Sequence, residues 1–331
     1  MKLKITTFFY FSIMLCIMAV FTACEKEITV DLPNAESKIV VEGNIFPGSP
    51  PIMMLTWSQG YFEPTDLSTI QNLFVHEADV KITVDGETYT LQEICSADLS
   101  EEDLELASQV LGLPVETIQA LDLCLYSSFE FLGQEGKLYN LDIKLGDHHV
   151  TGLTKIPEIV NLDTLYFSVI STLPDDSLGF IFGNITDPDT AGNAYRWFAK
   201  RISHYPQWIE DEDLRGQQKD FGYIAPLGSV FDDTFFNGLS FEFGYYRGAE
   251  PNSNKFDDRN GERGFFKRGD TIAVRGCTID RNSYKFIYSF ETQVSNQGSP
   301  FSVPFNLESN VEGGLGSFIG YGAVYDTVIC N

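Results

Sequence analysis

Short segments that alternate apolar and polar residues, each bounded by a turn signal, recur along this chain and predict a fold built from β-strands. Residues 80–84 alternate and lead into Asp85-Gly86, which favours a tight hairpin because both positions tolerate positive φ. Leu138–Leu145 alternates in the same way. We therefore predict a mainly β fold of two β-sandwich-type domains, the first of them immunoglobulin-like or transthyretin-like.

Two segments depart from this pattern and predict helices. Residues 96–123 contain Ser100, which fits an N-cap, then three acidic residues and apolar residues at helical spacing. They predict a small helical insertion. A broad apolar face after Asp280 predicts one helix near the C-terminus. We place the first domain at residues 38–157 and the second at residues 158–331.

The N-terminal residues predict export. Residues 1–23 contain two lysines and then an apolar run, and they end in Thr-Ala directly before Cys24. This is the pattern of a bacterial lipoprotein signal peptide, whose cysteine is acylated and becomes the new N-terminus. The alternative is an uncleaved transmembrane anchor, but the run is at the short end of the roughly 17–25 residues needed. Residues 24–37 are expected to form a tether between lipid and fold.

The net charge excludes whole classes of function. A chain beginning at Cys24 has 20 Lys and Arg residues against 47 Asp and Glu residues, a formal net charge of −27. That charge repels nucleic-acid backbones and anionic lipid head groups. We therefore expect no nucleic-acid partner, and contact with the membrane through the lipid anchor only.

Four cysteines remain once the signal peptide and Cys24 are set aside. An even number in an oxidising compartment predicts disulfides. Closeness along the chain favours Cys95–Cys124, which would close the base of the helical insertion, and Cys277–Cys330, which would require the last strand to lie beside residues 271–276. Four free buried thiols are the alternative. No pair has the C-x-x-C spacing that would indicate zinc.

The sequence contains no G-x-S-x-G elbow, H-E-x-x-H motif or Walker loop, so we predict a protein that is not an enzyme and uses no metal or cofactor. His148-His149 lies on a strand pattern, where neighbouring side chains point to opposite faces and are poorly placed to share a metal. Residues 187–193 and 257–262 are predicted to be solvated turns, with calcium binding as the alternative. A glycosidase carboxylate pair is a further alternative, because such residues can be far apart in sequence.

Two pairs of residues are candidate surface sites. Tyr205 and Trp208 lie in a loop-like region, where exposed aromatic side chains suit ligand or partner contacts, although burial in the core is the alternative. Thr190 and Ser177 each follow Asp and precede a small or aliphatic residue, a pattern of periplasmic O-glycosylation. The alternative there is that Asp-Ser/Thr simply begins a strand.

Four stretches of the chain carry a more specific pattern. They are Cys24-Glu25-Lys26-Glu27 with residues 38–43, residues 231–238, residues 268–274 with Ile279-Asp280 and Tyr284-Lys285-Phe286, and Pro304 with residues 310–321. In these stretches the sequence resembles a lipoprotein family of Bacteroidota catalogued as domain of unknown function 4249. The helical insertion is not a feature of that family, which has no established catalytic residues.

The resemblance implies an outer-membrane lipoprotein that faces the cell exterior and is often encoded beside TonB-dependent transporters. We therefore expect a non-enzymatic accessory or substrate-binding partner of such a transporter. A surface-structural or adhesive module is the first alternative, and a carboxylate-based hydrolase is the second.

Overall fold

The computed structural model describes residues 36–60, 66–173, 175–248, 257, 262–296 and 307–331. Its strands are β1 (Ile39–Ile45), β2 (Ile52–Trp57), β3 (Asp79–Val84), β4 (Glu87–Cys95), β5 (Cys124–Ser127), β6 (Leu138–Leu145), β7 (His148–Lys155), β8 (Leu162–Val169), β9 (Leu178–Thr186), β10 (Ala194–Arg201), β11 (Val230–Asp232), β12 (Ser240–Tyr245), β13 (Phe266–Lys267), β14 (Thr271–Ile279), β15 (Val311–Glu312) and β16 (Leu315–Ile329). Its α-helices are α1 (Leu67–Gln71), α2 (Glu101–Leu111), α3 (Val115–Leu121) and α4 (Arg281–Ser295). The fold is mainly β with few helices, as the sequence predicted.

The first half of the chain forms a β-sandwich. One layer contains β1, β2 and β5, and the other contains β3, β4, β6 and β7 with the short β15 at its edge. β4 joins the two layers, because its first part pairs with β3 and its last part pairs with β5. Alternation directs one side of each strand inward, so that Ile82, Leu141 and Ile143 are buried in one apolar cluster with Val41 and Met53.

The second half forms another pair of packed layers. β8, β9, β12 and β13 make a four-stranded sheet. It packs against β10, β14 and the end of β16, and the apolar cluster between them includes Ile181, Trp197, Phe266 and Val274. The predicted sandwich-type packing is therefore present in both halves of the chain.

The long strand β16 connects the two halves. Residues 315–320 pair in parallel with β1, and residues 321–329 pair antiparallel with β14. One continuous hydrogen-bonded path therefore runs from β11 to β15. Residues 37–331 form one compact unit by their internal contacts. The boundary that we predicted at residue 157 falls between β7 and β8, and division into two domains stays a prediction.

The helical insertion is present and is closed by a disulfide. The Ser100 hydroxyl accepts a hydrogen bond from the Asp103 amide at the start of α2, and Gly112 ends that helix with φ of 70°. Leu104 and Ile118 bury the inner faces of α2 and α3. Cys95 and Cys124 face each other across β4 and β5 and are joined, as the sequence predicted.

Helix α4 packs on the outer side of the central sheet. The Asp280 carboxylate accepts a hydrogen bond from the Ser283 amide and caps the helix. The other oxygen of the same carboxylate accepts from the Thr154 hydroxyl at 2.7 Å, which ties the start of α4 to β7. Ile287 then packs against Ile319 and Phe198 on the sheet.

The predicted Cys277–Cys330 disulfide is wrong, and both thiols are free and buried. The strands do lie side by side, as that prediction required. However, Cys277 is opposite Ala323, whereas Cys330 follows Ile329, which pairs with Thr271. The two cysteines are therefore offset by seven residues along the strands (330 − 323), roughly 23 Å. Closeness in sequence does not fix the register of two strands.

Several predictions concern residues outside the described ranges. The signal peptide at residues 1–23, the lipidation site Cys24 and the tether up to residue 35 are among them. In the part of the chain that is described, no helix is long and apolar enough to cross a bilayer.

Candidate functional site

A cleft of about 420 Å³ lies between α4 and the outer face of the central sheet. β1, β10, β14 and β16 form its floor, and α4 contributes Phe286 and Phe290. Strand alternation explains which side chains reach it. In β10, Trp197 points into the sandwich core, whereas its neighbours Arg196 and Phe198 point to the cleft. None of these residues was predicted to belong to a binding site.

Arg275 on β14 is the most unusual group in the cleft. Its guanidinium carbon is 4.1 Å from the ring centroid of Phe198, 4.5 Å from that of Tyr223 and 4.9 Å from that of Phe46. Such stacking stabilises a cation without using its N–H groups. Among the described residues, no acceptor binds those groups and no carboxylate pairs with Arg275, and its Nε is buried without a partner.

Arg196 provides the second guanidinium of the cleft, and some of its N–H groups already contact protein acceptors. Its Nη1 donates to the Tyr321 hydroxyl at 3.3 Å, and its Nη2 is 3.8 Å from Oε1 of Glu291. Burial raises the pKa of Glu291, and the positive charge of Arg196 offsets part of that rise. Glu291 also accepts a hydrogen bond from the Gly228 amide at 2.8 Å. The ion pair of Arg196 and Glu291 is therefore part of the protein's own packing around the cleft.

Glu42 on β1 is the acidic group that faces the cleft. Water reaches its side chain through the opening, yet the surrounding protein raises its pKa by desolvation. The nearby Arg196 lowers that pKa by a smaller amount. Glu42 therefore accepts a proton more readily than an ordinary surface glutamate.

The arrangement is suited to binding rather than to nucleophilic catalysis. Cys277 belongs to the apolar cluster on this side of the sheet, but burial raises its pKa to about 12, so it stays a neutral thiol. Unpaired donors of Arg275 beside aromatic rings are the elements of a site for a small molecule with an acceptor group and an apolar body.

A second cluster of charges is buried beside β10. Arg201 contacts Asp220 at 2.8 Å and Asp257 at 2.9 Å, and Arg247 lies against the same two carboxylates. Both arginines are at most 1% exposed. Because these charges compensate one another inside the protein, the cluster serves to hold the long connection after β10 against the sheet.

A third cluster brings together His76, Glu93, Cys95 and Cys124, whose ligand-type atoms lie within 4.8 Å of one another. The His76 ring is 2.5 Å from the Glu93 carboxylate. Both sulfur atoms belong to the disulfide, so neither is the thiolate that a metal ion would require.

The two predicted contact residues have different positions. Trp208 is 81% exposed, and its role as a contact residue stays a prediction. The prediction that Tyr205 is exposed is wrong, because it is only 2% exposed and its hydroxyl donates to Asp257 at 3.2 Å. Its backbone also pairs with Gln217, so the loop folds back on itself and covers the ring.

The predicted glycosylation sites lie in turns. Thr190 is exposed, and its carbonyl accepts a hydrogen bond from the Asn193 side chain. Ser177 is half-buried and donates its hydroxyl to Asp175 at 2.6 Å. Modification at either residue stays a prediction.

The residues considered for calcium binding and the His148-His149 pair contact other protein groups. The prediction of solvated turns is wrong at the first residue of each segment, because Asp187 is 3% exposed and Asp257 is fully buried. The two oxygens of Asp187 accept from the Tyr195 hydroxyl and the Gly238 amide, so protein donors occupy the first ligand position of the calcium alternative. His149 lies 2.7 Å from Asp142, and the ring of His148 packs against a tryptophan instead. The structure therefore gives the two histidines different partners.

No family model and no curated protein matches this chain. A solved structure that it resembles is the cycloalternan-degrading enzyme from Trueperella pyogenes in complex with cycloalternan, at 9% identity and a TM-score of 0.22. The match covers 72% of this chain and 30% of that one, so the chain spans less than a third of that enzyme. A similarity at this level says nothing about what this chain binds, and the resemblance to the Bacteroidota lipoprotein family stays a prediction.

Proposed function

We propose that this chain is a lipid-anchored binding protein of the outer membrane, facing the cell exterior, that acts as a non-enzymatic accessory or substrate-binding partner of a TonB-dependent transporter. The observation that supports a binding role is the cleft beneath α4, where Arg275 presents donors that no described residue uses. The lipoprotein signal and the family resemblance support the location and the partner.

The lining of the cleft favours binding over hydrolysis. Glycoside hydrolysis by the common mechanism needs two carboxyl groups that flank the scissile bond. Glu42 is the one carboxylate among the described residues that line the cleft. Glu291 is buried, does not line the cleft, and is engaged by Arg196 and by the Gly228 amide. The site therefore offers one acid where the hydrolase alternative needs two.

Affinity purification tests the partner. The full-length chain, tagged at its C-terminus, is recovered from its native membrane in mild detergent, beside a Cys24→Ser variant that cannot be acylated. We expect a TonB-dependent transporter in near-equal amount with the acylated chain and much less with the variant. Repeated recovery without any such transporter would contradict the proposal, and recovery of filament or matrix proteins would support the adhesive alternative.

A further inference from the structure

The geometry of the cleft points to a class of ligand. We propose that it binds an organic monoanion, namely a carboxylate attached to an aromatic or other planar apolar body, and that Arg275 holds the carboxylate. This rests on the part of the proposed function that makes the cleft the ligand site, and it is independent of which membrane protein is the partner.

The stacking of Arg275 determines how an anion would approach. Phe198, Tyr223 and Phe46 all lie within 5 Å of the guanidinium carbon. A guanidinium offers two faces to aromatic rings, whereas its five N–H groups point outward in its plane. A carboxylate can therefore bind edge-on with two parallel N–H···O bonds, the strongest arrangement that an arginine makes.

The balance of charge favours a single negative charge on the ligand. Arg196 is already opposed by Glu291, at 3.8 Å. Among the described residues Arg275 is the arginine of the cleft that contacts no carboxylate, and Glu42 faces the same cleft. A dianion such as a phosphate monoester would bring a second charge near Glu42 that no cation is left to balance, and it would do so in a strongly acidic protein. A carboxylate avoids that cost.

The walls favour an apolar body. Phe46, Phe286 and Phe290 line the cleft, and Phe290 is 47% exposed although it is a large apolar side chain. A ligand that covers these rings removes apolar surface from water. A cleft of about 420 Å³ lies within the roughly 300–1,000 Å³ that small-molecule sites occupy. The cleft therefore fits a compact aromatic acid better than a long polymer.

Ligand-observed NMR titration of the soluble chain beginning at residue 25 tests the class of ligand. The probes are phenylacetate, indole-3-acetate and 4-phenylbutyrate, each beside its neutral amide, with sulfate and phenyl phosphate as further arms. We expect saturable binding of at least one carboxylate. Its amide, sulfate and phenyl phosphate should each bind at least about tenfold more weakly. Equal or tighter binding of the amides, sulfate or phenyl phosphate would overturn the monoanion assignment, and so would the absence of binding by all three acids.

Variants of two arginines assign the binding to this cleft. Arg275→Gln is expected to weaken binding of the carboxylate about 10- to 100-fold. Arg268→Gln makes the same change of charge at an exposed turn before β14, and it is expected to have no effect. Arg275→Lys keeps the positive charge but loses the two parallel N–H donors of the guanidinium. It should bind the carboxylate with intermediate affinity. Unchanged binding by folded Arg275→Gln would overturn the inference, whereas loss of the transporter in affinity purification would overturn the proposed partner alone.

Discussion

Arg275 and Phe198 lie directly opposite each other on adjacent antiparallel strands, with the guanidinium carbon 4.1 Å from the centre of the phenyl ring. The contact joins β14 to β10 on the side of the sheet that α4 covers. It also orients the one guanidinium of the cleft that has no protein acceptor among the described residues. The same pair therefore belongs both to the packing of the sheet and to the proposed binding site.

A double-mutant cycle measures the energy of this contact. Phe198→Leu and Arg275→Gln, alone and combined, are compared by urea unfolding. We expect a coupling free energy of about 0.5–2 kcal/mol, because a partly desolvated cation on an aromatic face is worth that much. Effects on the free energy of unfolding that simply add would show that the stacking contributes no stability.

The disulfide should contribute more than any single contact of the insertion. It closes a loop with a sequence separation of 29 between Cys95 and Cys124. Replacing both with Ser is expected to lower the free energy of unfolding by about 3–4 kcal/mol on the chain-entropy model. Limited proteolysis should then cut residues 100–121 first. Replacing both Cys277 and Cys330 with Ser is the control, and it should leave that segment protected.

Cys277 and Cys330 should not react with thiol reagents in the folded protein. Burial raises the pKa of each thiol to about 12, so almost no thiolate is present at neutral pH. We expect no labelling by iodoacetamide in native buffer and two labelled residues after unfolding without reductant. Peptide mapping that joins these two cysteines to each other, or to Cys95 or Cys124, would contradict the structure.

The buried charge network is expected to be sensitive to loss of one member. Arg201 and Arg247 together balance Asp220 and Asp257. Arg201 contacts both carboxylates at distances below 3 Å, and all four side chains are at most 4% exposed. Arg201→Met leaves those carboxylates short of positive charge and should cost about 3–5 kcal/mol of unfolding free energy. Arg268→Met, on the surface, should change it by less than about 0.5 kcal/mol. Comparable values for the two variants would contradict this account.

The strands could be predicted because their signal is local. Ile82 and Leu141 alternate with polar neighbours, and that pattern alone assigns them to a buried face. Cys95 and Cys124 were paired by closeness along the chain, and that prediction succeeded because β4 and β5 pair with these two residues directly opposite each other. The strand predictions need only neighbouring residues, and that is why they succeeded.

The cleft could not be predicted, because it depends on register. Phe198 and Arg275 are far apart in the sequence and meet only because β10 pairs with β14 in one particular alignment. In the sequence, Arg275 is indistinguishable from any outward-facing arginine of a strand. The failed Cys277–Cys330 pairing has the same cause, since the strands were paired correctly but their alignment was unknown.

Binding of an anion in the cleft should depend on pH. Glu42 faces the cleft together with Arg196, Arg275 and the Tyr321 hydroxyl, and desolvation raises its pKa above the ordinary value for glutamate. Above that raised pKa, Glu42 is negative and opposes an anion in the cleft. As the pH falls through it, Glu42 takes up a proton, the repulsion disappears, and affinity for the anion should rise.

The probe for this experiment is phenylmethanesulfonate, which stays ionised over the whole range, so that only the protein titrates. Glu42→Gln should bind it more tightly than the wild-type chain at pH 7, and its affinity should vary less with pH. The two proteins should converge at acidic pH, where Glu42 of the wild-type chain is protonated and residue 42 is neutral in both. Glu102→Gln, which removes an exposed carboxylate on α2, should follow the wild-type curve. A wild-type affinity that stays constant or falls as the pH is lowered through this range would show that Glu42 does not act on the ligand.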